Sequence, residues 1–310
     1  MLKKISSLFL IKPEDLNQEE LSFYKEYGFK NFILFKEHFK EDFTLYLSYF
    51  KEKLKASLLA TDQEGGRVCR IEGNFLSPLE IAKKYQKEGE KCVRKWAKEI
   101  ALSLKRYHLN LNLAPSLDLA DESAEEFLKG RTFGKNKSLV EKLAYIFIEE
   151  HKKEKIFTCL KHFPGLKDVK IDPHEELPFK ENLDKENLDV FSSLLEKTYS
   201  PFIMTTHIVI KEIDLKPVTF SEKIVSLLRK NLNYKNVILT DDLSMKALSF
   251  WELQERIILS LASGHNILIY CGKWYDLGAA LEDIKSEINK SLILREKIKE
   301  SFSVLEKILK

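Results

Sequence analysis

The chain alternates short apolar runs, rich in β-branched and aromatic residues, with longer amphipathic segments from one end to the other. This alternation is typical of βα units arranged around a parallel sheet. Eight such runs can be counted, at residues 5–12, 31–35, 57–62, 109–115, 158–164, 201–207, 236–242 and 265–271. The intervening periodicity predicts helices, among them 79–107, 139–155, 188–198, 221–232 and 248–262, with further helices in the tail.

Eight repeats within 310 residues, without a Pro/Gly/Ser-rich linker, predict one α/β domain. We expect a single (β/α)8 TIM-type barrel over residues 1–310, because such barrels usually need about 250 residues plus insertions. An open doubly wound sheet is the competing architecture. That fold would place a glycine fingerprint after its first strand, whereas this chain continues with Lys12, Pro13 and Glu14.

The charge balance and the cysteine spacing exclude several classes of function. Lys and Arg number 51 against 48 Asp and Glu, and the two signs alternate along the chain, which argues against a nucleic-acid surface. No apolar stretch approaches the roughly 20 residues that cross a bilayer. The four cysteines form no CxxC pair and indicate neither a zinc site nor a disulfide framework. We therefore expect a cytoplasmic protein without a metal. These cysteines are Cys69, Cys92, Cys159 and Cys271.

Polar residues follow several of the predicted strands directly. In a barrel of this kind the catalytic groups lie at the C-terminal ends of the strands, so these residues are expected to meet at one mouth. Some have simpler explanations: Asp242 and Ser244 suit helix caps, and isolated histidines usually satisfy buried backbone groups. Charges of both signs arriving from four strands instead suit a site that binds many hydroxyl groups and stabilises a changing charge. We expect the role of hydrogen-bonding to buried backbone groups for His38, His108, His151 and His265.

Lys161 and His162 are adjacent at the end of the fifth predicted strand. Neighbouring residues of a regular strand point to opposite faces, so both can reach one ligand only if the strand is irregular there. Pro164 gives a reason to expect such a break.

Six segments, in this order, resemble glycoside hydrolase family 3, and specifically its short β-N-acetylglucosaminidase branch that trims muropeptides during cell-wall recycling. With the second strand and the tail, the resemblance spans nearly the whole chain. The segments are Asp62-Gln63-Glu64-Gly65-Gly66-Arg67-Val68-Cys69-Arg70, Leu113-Ala114-Pro115-Ser116-Leu117-Asp118, Gly130-Arg131-Thr132-Phe133-Gly134, Lys161-His162-Phe163-Pro164-Gly165, Met204-Thr205-Thr206-His207 and Thr240-Asp241-Asp242-Leu243-Ser244-Met245.

The resemblance implies a role for each matching residue. Asp241 corresponds to the family nucleophile, and His174, oriented by Asp172, corresponds to the acid/base carried by a mobile loop after strand five. With no second domain to supply an acid, we expect the acid/base to come from within the barrel. The implied substrate-binding residues are Asp62, Arg70, Arg131, Lys161, His162 and His207.

The loop departs from the family pattern at three positions. The family generally has His-Gly after Phe-Pro-Gly, where this chain has Leu166 and Lys167, and Pro173 stands where serine is common. The spacing to Asp172 and His174 is unchanged. Losing a glycine and gaining a proline should stiffen the loop, which affects its closing motion rather than the Asp-His pair.

The implied function is that of a retaining exo-β-N-acetylglucosaminidase that releases terminal β-linked N-acetylglucosamine from muropeptides. The reaction passes through a covalent glycosyl-aspartate, and a small carbohydrate is the expected partner. This chemistry requires neither a metal nor an organic cofactor. Two alternatives remain: a β-glucosidase or β-xylosidase of the same family, and a non-catalytic carbohydrate-binding barrel.

Overall fold

A computed structural model describes residues 2–39 and 43–309, and its central feature is a closed barrel of parallel strands. Each strand pairs in parallel with its neighbours in the sequence, and the last strand pairs with the first. This confirms the predicted (β/α)8 barrel. The strands are β1 (Phe9–Ile11), β2 (Asn31–Ile33), β3 (Leu58–Thr61), β4 (Leu111–Asn112), β5 (Phe157–Phe163), β6 (Phe202–Thr205), β7 (Val237–Asp242) and β8 (Ile267–Tyr270).

The interior of the barrel is filled by one apolar cluster drawn from every strand or the residue next to it. Leu10, Leu111 and Leu239 are among its fully buried members. Leu305 and Ile308 of the last helix belong to the same cluster. The barrel is therefore a packed core, and binding is left to the loops at its mouth.

Helices surround the barrel, each burying one face against it. The helix Glu90–Arg106 shows the reason, because its buried residues Val93, Trp96, Ile100 and Leu104 recur at helical spacing. The α-helices are Leu2–Ser6, Gln18–Tyr27, Phe43–Ser48, Pro78–Glu88, Glu90–Arg106, Lys137–Lys153, Lys185–Lys197, Glu222–Ser226, Leu253–Ser263, Trp274–Lys290 and Leu292–Leu309. Short 3-10 turns lie at Lys36–His38, Val218–Phe220 and Lys246–Leu248, and π turns at Tyr49–Lys53 and Leu227–Asn231.

Two boundaries near the start differ from the prediction. Ile5 and Ser6, expected in the first strand, belong to the helix Leu2–Ser6, since a short apolar run fits either period. The helix expected over residues 79–107 is two helices that meet at Gly89. Gly89 has φ +71° and ψ −165°, a conformation open to glycine that no helix continues through.

Two later helices are shorter than predicted. The segment 221–232 is helical over Glu222–Ser226 and continues as a π turn. The segment 248–262 becomes helical only at Leu253, after a 3-10 turn that ends at Leu248. The residues that precede Leu253 follow β7, so they lie on the side of the barrel where the cavity opens, whereas the π turn Leu227–Asn231 precedes β7 and lies at the opposite end.

Two small sheets shape the loops at the mouth. Gln63–Gly65 and Val68–Cys69 form an antiparallel hairpin directly after β3. Phe179–Lys180 pairs in parallel with Val209–Ile210, which joins the loop after β5 to the loop after β6. Within the described part of the chain, none of the helices has the length and apolar character that crossing a membrane requires.

Candidate active site

A cavity of about 430 Å³ opens at the C-terminal ends of the strands. Its lining residues come from segments distributed around the barrel, including the ends of β1, β3, β5, β7 and β8. Eight of the nine side chains assigned from the sequence line it, and His207 does not. The eight are Asp62, Arg70, Arg131, Lys161, His162, Asp172, His174 and Asp241.

One wall of the cavity is a buried network of alternating charges. Arg131 donates twice to Glu64, from Nε to Oε2 at 3.0 Å and from Nη2 to Oε1 at 2.8 Å. Lys161 Nζ lies 2.7 Å from both Glu64 Oε1 and Asp62 Oδ1. Two cations and two carboxylates are thereby held in one geometry, with donors and acceptors directed at the space that a ligand would occupy.

The charges in this network stabilise each other. Burial opposes ionisation of Glu64, but Arg131 and Lys161 outweigh it and hold the pKa of that carboxyl well below its usual value. Burial likewise acts to lower the pKa of Lys161, yet Asp62 and Glu64 raise it overall. Glu64 and Lys161 are therefore both charged near neutral pH, and they hold the network in one arrangement beside the cavity.

Lys161 and His162 both line the cavity. Adjacent side chains can do so only where the strand is irregular, as predicted for this strand end. The pairing of β5 with β6 shifts register between Leu160 and Phe163. The Lys161–His162 and Phe163–Pro164 peptide bonds are cis.

His162 is fixed by a buried carboxylate that follows β4. Its Nδ1 lies 2.7 Å from Asp118 Oδ2. His162 Nε2 lies 3.4 Å from Arg131 Nη2, which can only donate. Nδ1 therefore donates a proton to Asp118, and Nε2 lies beside Arg131 at the cavity.

The hairpin after β3 positions Arg70. Buried Gln63 accepts from the backbone N–H of Arg70 at 2.8 Å and of Ile71 at 3.0 Å, which holds the returning strand. The Arg70 guanidinium stacks over the Phe35 ring, 4.9 Å from its centroid, and its Nη2 lies 3.9 Å from Asp62 Oδ2. Such a distant carboxylate leaves the guanidinium able to bind a ligand.

Asp241 lies near the end of β7, partly buried at the cavity. Its Oδ1 accepts from the backbone N–H of Asp242 at 2.8 Å. Burial tends to raise its pKa, but His207, His162, the Asp242 N–H and His174 together lower it. An ionised carboxylate at this place can act as a nucleophile.

His207 does not reach the cavity, in contrast to its assignment as a substrate-binding residue. It is fully buried, and both ring nitrogens are engaged inside the protein. Nε2 donates to Asp242 O at 2.9 Å and Nδ1 lies 2.5 Å from Thr219 Oγ1. Burial lowers the pKa of His207. Its place behind β7 suits support of the Asp241–Asp242 backbone rather than contact with a sugar.

Asp172 and His174 lie on the loop after β5, opposite the wall described above. His174 Nδ1 is 2.7 Å from Asp172 Oδ1, and the same oxygen accepts from the His174 backbone N–H at 2.9 Å. The carboxylate can only accept, so Nδ1 carries a proton and Nε2 is the ring nitrogen suited to exchange one. Because both residues line the same cavity as Asp241, the loop brings a proton carrier to the carboxylate.

The loop contacts the segment that follows β7. Ala247 N donates to Pro173 O at 3.3 Å, and Lys246 Nζ lies 3.0 Å from Glu175 Oε2. These contacts place the loop over the cavity rather than away from it.

Most of the residues that we expected to have a structural role form hydrogen bonds within the protein. Asp242 Oδ1 accepts from the backbone N–H of Ser244 and of Cys271 at 2.9 Å, which holds the turn after β7. Neither Asp242 nor Ser244 caps a helix as expected, because the elements that follow begin after Met245 and Glu252. His38, His151 and His265 are buried and hydrogen-bonded. His108 differs: it is exposed, with φ +56°, just beyond the helix Glu90–Arg106, and the assignment of a buried role was wrong.

Two buried carboxylates of the site were not selected from the sequence, although both lie in the segments quoted there. Glu64 follows a strand end but lies on the hairpin, whose fold decides that it turns inward. Asp118 lies six residues beyond β4 and contacts His162 only because the chain folds back. Both residues are acids within segments that are otherwise apolar or contain glycine. This sequence pattern indicates that the acid is buried. Across residues 2–39 and 43–309, no group of three His, Cys, Asp or Glu side chains is arranged to hold a metal ion.

Comparison with known proteins identifies the family. Residues 3–308 match the family model described as Glycosyl hydrolase family 3 N terminal domain. The Beta-hexosaminidase A of Pseudoalteromonas piscicida is 30% identical over 212 residues, which are 62% of this chain and 36% of that protein. The Beta-hexosaminidase of Photobacterium profundum is 33% identical over 222 residues, covering 70% of this chain and 66% of that protein. The Beta-hexosaminidase of Actinobacillus pleuropneumoniae serotype 5b is 29% identical over 295 residues, covering 91% and 85%.

Solved structures support the same fold. The β-N-acetylglucosaminidase from Thermotoga maritima superposes with a TM-score of 0.85 at 24% identity, covering 100% of this chain and 67% of that one. The β-N-acetylhexosaminidase from Beutenbergia cavernae superposes with a TM-score of 0.87 at 21% identity, covering 99% and 98%. At these identities the likeness establishes the barrel, while the family model matched along almost all of the sequence establishes descent: the chain belongs to glycosyl hydrolase family 3.

Proposed function

We propose that this protein is a retaining exo-β-N-acetylglucosaminidase, which releases a terminal β-linked N-acetylglucosamine. One observation carries the proposal: the Asp241 carboxylate and the Asp172–His174 pair line the same cavity from different strands. Retaining hydrolysis needs a nucleophile and a proton donor on either side of the glycosidic bond.

The first step forms a covalent glycosyl-enzyme. A carboxylate oxygen of Asp241 bonds to the anomeric carbon, while the bond from that carbon to the leaving oxygen breaks. The protonated His174 gives its proton to the leaving oxygen, and Asp172 stabilises the charged ring beforehand. In the second step His174 takes a proton from water, the water oxygen bonds to the anomeric carbon, and Asp241 is released.

The buried wall supplies recognition. Asp62 accepts hydrogen bonds from sugar hydroxyls, while Lys161, Arg131 and Arg70 donate to them. A cavity of about 430 Å³ lies within the usual range of small-molecule sites. Because the charged groups are already paired in their working geometry, little reorganisation is needed when the sugar binds.

We propose muropeptides of cell-wall recycling as the natural substrate, cleaved in the cytoplasm. The motifs that resemble the muropeptide-trimming branch support this substrate, as do bacterial relatives that carry the name Beta-hexosaminidase. Release of N-acetylglucosamine from purified muropeptides, compared with its release from a chitin disaccharide, tests the choice.

The proposed activity is tested with an aryl β-N-acetylglucosaminide and wild type, Asp241→Asn and His174→Ala in parallel. Wild type should hydrolyse it, and Asp241→Asn should fall to background. For an aglycone that needs protonation, His174→Ala should lose about 10²–10⁴-fold in kcat/KM. A 2-fluoro glycoside should leave a mass adduct on Asp241.

Each alternative predicts a different result. Faster cleavage of the aryl β-glucoside or β-xyloside would indicate the other substrate class within the family. Binding of N-acetylglucosamine without hydrolysis would indicate a binding protein. Activity that survives Asp241→Asn would remove Asp241 as the nucleophile.

A further inference from the structure

We infer that Asp118 is a positioning residue that couples the sugar-binding His162 to the placement of the acid/base loop. Its carboxylate is fully buried and divides its two oxygens between these tasks. Oδ2 accepts from His162 Nδ1 at 2.7 Å and from Ser116 Oγ at 2.8 Å. Oδ1 accepts from the backbone N–H of Leu166 at 2.7 Å.

The loop that carries Asp172 and His174 departs from the barrel at Leu166, whose side chain is also buried. The residue before it, Gly165, has φ +123°, and a Cβ there would lie 2.4 Å from Asn187 Cγ. Asn187 in turn donates to Leu117 O at 2.9 Å. The turn around Asp118 therefore fixes the start of the loop directly through Leu166 and again through Asn187.

Three donors converge on Asp118, and only an ionised carboxylate can accept from all of them in these directions. Burial tends to raise its pKa, but His162 and the other donors outweigh burial and lower it. An asparagine of the same shape has one oxygen and one NH₂ group. It must therefore set an amide N–H against either His162 Nδ1–H or Leu166 N–H, and one of the two contacts is lost.

The inference rests on the proposed function, because it assigns to the loop the delivery of His174. If Asp118 holds the loop, its loss weakens proton donation as well as sugar binding. The choice of leaving group distinguishes weaker proton donation from weaker sugar binding. A 2,4-dinitrophenolate departs without protonation, whereas a sugar aglycone must be protonated as it leaves.

The experiment measures kcat/KM of wild type and Asp118→Asn on a 2,4-dinitrophenyl β-N-acetylglucosaminide and on a chitin disaccharide. Rates are expressed per site titrated with the 2-fluoro glycoside. For the activated substrate we expect a loss of about 10-fold, from the disturbed His162. For the disaccharide we expect a further loss of about 10-fold or more, within the range that general acid catalysis supplies.

Glu20→Gln is the matched control. Glu20 is also a buried carboxylate that accepts backbone N–H groups, those of Glu14 at 2.6 Å and Leu16 at 2.7 Å. The hydrogen bonds of Glu20 go to residues 14–16 and to Tyr24 rather than to the loop after β5, so its substitution should change both substrates by the same factor. If Asp118→Asn does not fold, Ser116→Ala carries the test. Ser116 Oγ donates to Asp118 Oδ2 at 2.8 Å and accepts from the Asp118 N–H at 3.4 Å, so its loss loosens Asp118 as a whole and should shift the ratio in the same direction.

Equal losses on the two substrates for Asp118→Asn, or for Ser116→Ala in its place, would overturn the coupling and leave Asp118 as a support of His162 alone. That result is distinct from failure of the proposed function, in which wild type would cleave neither substrate.

Discussion

The wall formed by β3, β4 and β5 and the loop after β5 reach the same cavity by contrasting means. In the wall, the Glu64 and Lys161 side chains are 1% and 2% exposed and share ion pairs with Asp62 and Arg131. On the loop, the His174 and Asp172 side chains are 61% and 32% exposed and chiefly contact each other. Under the proposed function, the groups that recognise a pattern of hydroxyls are rigid before binding, whereas the group that exchanges protons lies where water and a leaving sugar can reach it.

The contrast between the wall and the loop predicts that the same change, carboxylate to amide, affects mainly stability and KM in the wall but mainly kcat on the loop. Glu64→Gln leaves Arg131 and Lys161 with too little buried negative charge, so we expect a loss of about 3 kcal/mol in the free energy of unfolding and a raised KM. Asp172→Asn disturbs an exposed pair and should change stability by less than about 1 kcal/mol, while lowering kcat. Urea denaturation and steady-state kinetics of both variants measure the difference.

Similar stability losses in Glu64→Gln and Asp172→Asn would show that the wall is no more rigid than the loop. The control is Glu141→Gln, on the surface helix Lys137–Lys153, whose partners Lys197 and Ser193 lie far from the cavity.

Acid should destabilise the protein through His151, a buried histidine that contacts Asn112 of β4. Burial, the largest influence, lowers the pKa of His151 to about 4, although Phe147 O and Glu150 oppose it. An unfolded histidine titrates near 6.5, so between these values the unfolded chain binds more protons and the free energy of unfolding falls as pH falls. Between pH 7 and pH 5 the shifted pKa of His151 lowers the free energy of unfolding by about 2 kcal/mol.

His151→Gln should flatten this part of the pH dependence, because glutamine can replace the hydrogen bonds to Phe147 O and Asn112 without titrating. His108→Gln, at an exposed position, is the matched control and should leave the slope unchanged. Urea midpoints of the three proteins from pH 7 to 4 make the comparison. An unchanged slope in His151→Gln would show that His151 does not limit acid stability.

The smallest effect is expected at the contact between the loop after β5 and the segment after β7. Lys246 and Glu175 are both more than half exposed, and exposed pairs contribute little. Lys246→Gln should change kcat/KM by no more than about fivefold, and only at low salt, because screening removes the attraction. The exposed pair Lys211–Glu181 offers a matched control, Lys211→Gln. A larger change that persists at high salt would mean that the loop depends on this contact after all.

The repeat of apolar runs was sufficient to predict the barrel, because eight parallel strands with intervening helices leave few other arrangements. Helix limits were harder, since Gly89 interrupts a periodicity that continues across it, and since residues 5 and 6 suit helix and strand equally. Such boundaries depend on tertiary packing and on single backbone angles.

The site residues at strand ends could be chosen from the sequence because strand polarity fixes where they emerge. His207 fitted the same rule, yet both its nitrogens are used by Thr219 and Asp242, a pairing between distant segments. Glu64 and Asp118 were missed for a related reason. The apolar or glycine-containing segments around them indicate that these acids are buried, but the residues that they contact are decided only by the fold.

The two ends of the loop after β5 are fixed by contacts that do not involve its middle. Gly165 is packed against Asn187 at one end, and Phe179–Lys180 pairs with Val209–Ile210 at the other. We therefore expect the stretch from 167 to 178 to be exchangeable: segments of equal length from other members of the family should fit there without a change in the barrel or in its wall of buried charges. New leaving-group preferences could thus evolve, or be selected in the laboratory, on one unchanged scaffold.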